Sequence, residues 1–269
     1  MKAQLFQVDA FADRVFEGNP AAVVPLPSWL PDALMQAIAA ENNLSETAFV
    51  VAEGDAYGLR WFTPAVEVAL CGHATLAAAH VFFTHLGHAR PEIHFKTQSG
   101  RLTVTREGDK LAMDFPVNMP RPCPMPEHLE VVLGARPLIA MKAGQFLMAV
   151  FDSAADVAAL APEMAQLKRF QLSRQGEATI CTAAGEAGSG IDFVSRMFAP
   201  AQGIDEDPVT GSAHCTTVPY WVKKFGRADL VARQLSRRGG TLWCSQAGER
   251  VIIRGRCVDY MMGEILIDA

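Results

Sequence analysis

The chain carries an internal repeat, and that repeat limits the folds open to it. Residues 30–54 align without gaps on residues 161–185, an offset of 131. Pro31 meets Pro162, Glu46 meets Glu177 and Gly54 meets Gly185. Arg60-Trp61-Phe62-Thr63-Pro64 then meets Arg196-Met197-Phe198-Ala199-Pro200, and Cys71-Gly72-His73-Ala74 meets Thr210-Gly211-Ser212-Ala213. Gly87 and Gly226 each follow fifteen residues after the glycine of that last pair. Gln98-Ser99-Gly100 meets Gln246-Ala247-Gly248, where the offset has grown to 148. A period of about 130 residues is too long for a solenoid, whose units run about 20–50 residues. It reads as a duplicated domain. With 269 residues, half of them hydrophobic, each half can build a core of ordinary size. The expected domains are 1–115 and 127–269. Residues 116–126, with prolines at 116, 120, 122, 124 and 126, suit an extended linker. The last strand, 259–267, can belong to either half.

Both halves share an element order. Gln4–Ala10 alternates like a strand, Gly18-Asn19-Pro20 reads as a turn, and Ala21–Pro25 is a short apolar strand. Pro31–Glu41 reads as a helix with proline at its first position. Thr47–Ala52 and Leu59–Phe62 read as strands. Gly72–Leu86 is apolar almost all round and predicts a buried helix. Residues 92–95, 101–105 and 110–115 read as a meander. The expected fold is α+β: a mixed sheet rolled around one apolar helix, twice.

A net charge of −5 leaves no basic stripe for nucleic acid. No apolar run spans a membrane or forms a secretory signal. The six cysteines are scattered without a Cys-x-x-Cys pair, which fits reduced thiols in the cytoplasm. His80, His85, His88 and His94 make no coherent metal pattern with cysteines or carboxylates, so no metal is expected.

The chemistry is expected at the two helix starts. Gly72 and Gly211 let a ligand approach the backbone, and the free N–H groups there favour an anion. Two duplicated ends facing one interdomain cleft would hold a carboxylate or stabilise an enolate-like charge. His73 can move a proton near neutral pH. Asp207, in the acidic run Asp205–Asp207, can orient His73 or hold an amino group. Glu46, entering an apolar strand, can be desolvated into an acid–base group. Read singly, each has a plainer account. The glycines can serve packing, His73 a cap or the core, Asp207 a turn, and Glu46 an exposed loop.

Four segments carry a resemblance. They are Phe16-Glu17-Gly18-Asn19-Pro20-Ala21-Ala22-Val23, Asn43-Leu44-Ser45-Glu46-Thr47, Leu70-Cys71-Gly72-His73-Ala74-Thr75 and Asp207-Pro208-Val209-Thr210-Gly211-Ser212-Ala213. Together they resemble the phenazine-biosynthesis F-type (PhzF-like) isomerase family. The resemblance implies a diaminopimelate-epimerase-like fold and a cytoplasmic biosynthetic enzyme, often a homodimer, that acts on a small carboxylate-bearing substrate. In the family's best-understood member a glutamate shuttles a proton along a cyclohexadiene amino acid, dihydro-hydroxyanthranilate, without cofactor or metal. The matching residue is Glu46. Catalytic support falls on His73 and Asp207, and substrate binding on Asn19, Gly72, His73, Gly211 and Ser212. The wider superfamily includes racemases with two opposed thiols. Cys71 occupies the first thiol position, but its repeat partner is Thr210, too weak an acid to replace a thiolate. Cys215 lies five residues on. A racemase and a non-catalytic binding protein of the same fold remain the alternatives.

Overall fold

The computed structural model describes residues 1–267. In chain order the first elements are β1 (Lys2–Ala10), β2 (Asn19–Leu26), α1 (Asp32–Asn42), β3 (Glu46–Glu53), β4 (Ala56–Phe62), β5 (Glu67–Val68), α2 (Gly72–Thr84), β6 (Glu92–Thr97), β7 (Gly100–Glu107) and β8 (Lys110–Pro116). There follow β9 (Arg121–Pro122), α3 (Leu129–Leu133), β10 (Ile139–Ala143), β11 (Phe146–Val150), α4 (Ala154–Ala159), α5 (Met164–Ser173), β12 (Ala178–Ala184) and β13 (Phe193–Ala199). The last are β14 (Ile204–Glu206), α6 (Gly211–Phe225), β15 (Asp229–Gln234), β16 (Gly240–Ala247), β17 (Arg250–Gly255) and β18 (Cys257–Leu266). The chain forms two units: Met1–Asp114 with the stretch from Arg254 onward, and Phe115–Ile253.

The repeat is a repeat of topology. In the first unit β2 and β3 pair in parallel across α1, β3 pairs antiparallel with β4, and β4 pairs antiparallel with β5 and parallel with β6. In the second, β11 and β12 pair in parallel across α4 and α5, β12 pairs antiparallel with β13, and β13 pairs antiparallel with β14 and parallel with β15. Parallel neighbours need a crossover, and the helices supply it. Each unit then folds one helix against its sheet. The buried α2 packs on β1, β2, β3, β7 and β18, and His73, Ala74, Thr75 and Leu76 are buried from its first turn onward. Helix α6 packs on β15 and β16.

Several boundaries differ from the sequence reading. Asn19 and Pro20 belong to β2, and only Gly18 holds the turn, at φ 67°. Pro31 caps α1 from an extended conformation, because ψ 140° lies outside the helical range. The apolar helix α2 stops at Thr84. Residues 116–126 are held by the second unit rather than strung between two domains. Arg121 and Pro122 pair with Lys142 and Met141. The Val117 N–H donates to the Glu249 carbonyl at 2.8 Å and the Asn118 N–H to the Cys215 carbonyl at 3.0 Å. The second bond has a local cause. Pro219 sits inside α6 and has no N–H to offer the carbonyl four residues back, which is that of Cys215. β18 pairs with β1 from Lys2 opposite Leu266 to Ala10 opposite Cys257, so this last strand lies in the first unit.

Gly18 fixes the entry into β2. A Cβ at this positive φ would run into the Ala10 carbonyl oxygen, a backbone atom that cannot swing aside. Gly18→Ala is expected to cost about 2 kcal/mol, from the left-handed conformation plus the clash. The urea midpoint of unfolding measures it. An unchanged midpoint would mean the 11–18 loop yields freely.

Candidate functional site

The first constellation forms where three elements of the first unit begin. β2 starts at Asn19. α1 ends on Asn43 in the left-handed conformation (φ 49°, ψ 37°), which turns the chain into β3 at Glu46. The parallel register sets Glu46 beside Ala21, near Asn19. Helix α2 starts at Gly72 after an extended Cys71, and His73 lies in its first turn. Asn19, Glu46, Cys71 and His73 are all buried, at 0, 8, 6 and 6% exposure, so none of these polar groups relies on bulk water.

His73 is the hub. Its Nε2 lies 2.9 Å from Glu46 Oε2, and its Nδ1 lies 3.2 Å from Asn19 Nδ2 and 3.5 Å from Cys71 Sγ. The approach to Glu46 is oblique, and among the described residues Oε2 has no well-aligned hydrogen-bond donor. Burial pulls the His73 pKa down, and the interactions with Cys71 first and Glu46 second raise it by more, to well above its usual value. Burial also pushes the Cys71 thiol up to about 11, so at neutral pH that thiol is protonated and uncharged. With that thiol protonated, the Glu46 carboxyl is the remaining acidic partner beside His73. An imidazolium donates from both nitrogens, so a charged His73 turns the Asn19 amide oxygen toward Nδ1.

The second constellation opens α6. Thr210 precedes the helix in the same extended conformation as Cys71 (φ −117° against −145°). Neither side chain forms a capping hydrogen bond to its helix, although Cys71 Sγ touches the His73 ring. The first-turn N–H groups of both helices are thus left without a side-chain cap, and such an end attracts an anion. The repeat extends one turn deeper. Thr75 Oγ1 donates to the Cys71 carbonyl at 2.6 Å, and His214 Nδ1 donates to the Thr210 carbonyl at 2.8 Å. The Thr210 hydroxyl bonds Asp207 Oδ2. Gly211 is buried, Asp207 half-buried and Ser212 exposed.

Gln234, which the sequence did not mark, holds this loop in place. Fully buried, it accepts the Thr210 N–H at 2.9 Å and donates to the Asp207 carbonyl at 2.7 Å. Of the acidic run, Glu206 is not a free loop residue. It forms a two-pronged pair with Arg196, at 2.6 and 2.9 Å. The open groove of about 620 Å³ between α3 and α5, lined in part by His128, Arg169, Phe170 and Arg174, holds none of these residues.

Burial pushes the His214 pKa down to about 4, against the one backbone carbonyl that favours its charge. The unfolded chain binds this proton near pH 6.5 and the folded one does not until about pH 4. Stability from His214 is therefore intact above pH 6.5 and falls as pH drops toward 4, by about 3 kcal/mol. Wild type should lose that much more than His214→Gln across this window in denaturant titrations. Parallel curves would contradict it.

Two groups of known proteins share this architecture. The family model of phenazine biosynthesis-like proteins, PhzC-PhzF, matches residues 8–263. An uncharacterized isomerase of Pseudomonas aeruginosa is 51% identical over 98% of this chain and 99% of its own. A human phenazine biosynthesis-like domain-containing protein is 36% identical over 98% and 99%. The crystal structure of a PhzF-family phenazine biosynthesis protein from Enterococcus faecalis superposes with a TM-score of 0.95 at 46% identity, covering 99% of this chain and 100% of that one. A hydroxyproline epimerase from Agrobacterium vitis shares the fold at a TM-score of 0.60 and 11% identity, over 100% and 93%. The long match and the half-identical isomerase settle the kinship: the chain belongs to the PhzC-PhzF family of phenazine biosynthesis-like proteins.

Proposed function

We propose that the protein is a cofactor-independent isomerase that moves a proton on a small carboxylate-bearing substrate, with Glu46 as the acid–base group. The observation that carries this reading is the buried Glu46–His73 pair, with one carboxylate oxygen lacking an aligned donor, at an uncapped helix start. Glu46 removes a proton from a substrate carbon, and the electron pair left behind delocalises toward the substrate's unsaturation or carboxylate. The same Glu46 O–H then returns the proton at a second carbon, giving an isomer with no net change in protons or electrons. The His73 imidazolium and the N-terminus of α2 stabilise the charge while it exists. Gly72 at the start of α2 binds the substrate's anionic group beside Asn19, and Gly211 and Ser212, with Asp207 as support, offer a second anion-binding helix start in the other unit.

A protonated thiol at Cys71 and a hydroxyl at Thr210 make two-base racemisation the weaker reading. The direct test is proton NMR in D₂O with a panel of amino and hydroxy carboxylates that includes dihydro-hydroxyanthranilate. Deuterium incorporation with migration of unsaturation is expected for at least one of them. Exchange confined to Cα of an amino acid, abolished by Cys71→Ser, would replace this reading with a racemase. Ligand-induced stabilisation without exchange would make the protein a binder.

A further inference from the structure

At the far end of α2 from His73, three side chains converge that the sequence did not join. His80 lies on the last turns of the helix, and His85 is its C-cap residue, at φ −112° and ψ −28°. Asp259 comes from β18, the strand that closes the first unit. His80 Nε2 lies 3.1 Å from Asp259 Oδ1, and His85 Nε2 lies 3.0 Å from Asp259 Oδ2. The three donor atoms all fall within 4.8 Å of one another. Five residues apart on a continuous helix, two side chains point well away from each other. Here the second histidine sits where the helix ends, and the departing backbone brings its ring back toward the first. The rings stand nearly perpendicular, at 80°. Phe6 of β1 stacks on His85 at 5.3 Å and fixes its plane.

The geometry points to a divalent transition-metal site of the zinc class, with His80, His85 and Asp259 as ligands. Two imidazole nitrogens and a carboxylate suit zinc, cobalt or nickel, and a site with two nitrogen donors in three is poor for magnesium or calcium. Metal–nitrogen and metal–oxygen bonds of about 2.0–2.2 Å set neighbouring ligand atoms about 3.3 Å apart in a tetrahedron. One ligand atom from each of the three residues already lies within 4.8 Å of the other two, so side-chain rotation of about an ångström brings them to that spacing. The side chains are partly accessible, at 17, 21 and 32%, which leaves an entry path and room for a water as fourth ligand. Arg106 acts on His80, and its guanidinium is held by the Phe83 carbonyl at 2.8 Å and lies over the Phe83 ring at 4.4 Å. A metal here would tie β18 to the end of α2, joining segments far apart in the chain.

Glu46, Cys71 and His73 also bring three donor atoms within 4.8 Å, so the test must separate the two groups. Full-length protein stripped with chelator is titrated with Zn²⁺ by calorimetry and with Co²⁺ by absorption. One saturable equivalent is expected, with a Co²⁺ spectrum that lacks a thiolate charge-transfer band. His85→Ala and Asp259→Asn should each weaken Zn²⁺ binding by at least about tenfold, since even losing a partner outside the ligand set costs that much. Cys71→Ala should leave binding unchanged. The thermal midpoint should rise with Zn²⁺ in wild type and not in Asp259→Asn. If His85→Ala fails to fold, the wild-type Co²⁺ spectrum and Cys71→Ala still decide. No saturable binding, a thiolate band, loss of binding in Cys71→Ala, or binding indifferent to Asp259→Asn would each overturn the site.

Discussion

Glu46→Gln is expected to lower substrate deuterium exchange by about 10³-fold or more while leaving the fold intact. General acid–base catalysis contributes about 10²–10⁴-fold, and an amide of the same shape cannot accept the substrate's proton. The loss should fall on kcat, because glutamine still fills the space beside His73 and α2. Protonation gives a second readout. With Glu46 uncharged, His73 keeps Cys71 but loses one of the two partners that raise its pKa, so that pKa falls from well above the usual value. Ring-nitrogen NMR shifts followed across a pH titration report that fall. Stability follows with a definite sign. A histidine whose folded pKa is raised contributes stability that is full below pH 6.5 and is lost as pH climbs through the folded pKa. Glu46→Gln should therefore destabilise more at pH 6 than at pH 9. Exchange retained in this variant, with His73 still charged, would remove Glu46 from the mechanism and the pair from its role.

The repeat made the paired elements legible because a duplicated sheet leaves its marks in order along the chain: Arg60 with Arg196, Gly72 with Gly211, Gln98 with Gln246. The site was legible only in part. Asn19, Glu46 and His73 meet because β2 and β3 pair in parallel and α2 starts beside them. No local period records such a meeting, and it took the resemblance to favour Glu46 over an ordinary loop glutamate. Gln234 stayed hidden for the same reason, since its partner Thr210 is 24 residues away. The histidines of α2 lacked a carboxylate in the sequence reading because Asp259 lies 179 and 174 residues further on. Glu206 was a missed signal rather than a hidden one. The aligned arginines Arg60 and Arg196 are followed by Glu67 and Glu206, and both pairs form the same two-pronged bridge just before the helix start. The prolines of 116–126 were read by composition alone, which carries no information about the Cys215 carbonyl that Pro219 leaves open.

That duplicated bridge is expected to be worth unequal amounts in the two units. In the second, Arg196 is only 12% exposed and Glu206 18%. Arg196 spends its remaining donor on the carbonyls of Val157, Ala158 and Leu160 at the end of α4, and its guanidinium lies 4.8 Å from the centre of the Phe198 ring. Arg196→Met keeps much of the stem's volume but strands the Glu206 charge and the α4 carbonyls together. Breaking one side of such a buried pair costs about 3–5 kcal/mol. In the first unit Arg60 is 22% exposed, and its partners Glu67 and Asp32 are 23% and 76% exposed. Water screens this bridge more, so Arg60→Met should cost about 1–2 kcal/mol. The double variant Arg196→Met with Glu206→Gln removes the stranded charge and should recover part of the loss, because the penalty lies in the orphaned carboxylate more than in the missing attraction. Hydrogen exchange of the β13 and β4 amides measures each unit separately, which a single unfolding midpoint would blur. Protection should fall most in β13 of Arg196→Met and return partway in the double variant. Equal losses in β4 and β13 would show that burial does not set the strength of this bridge.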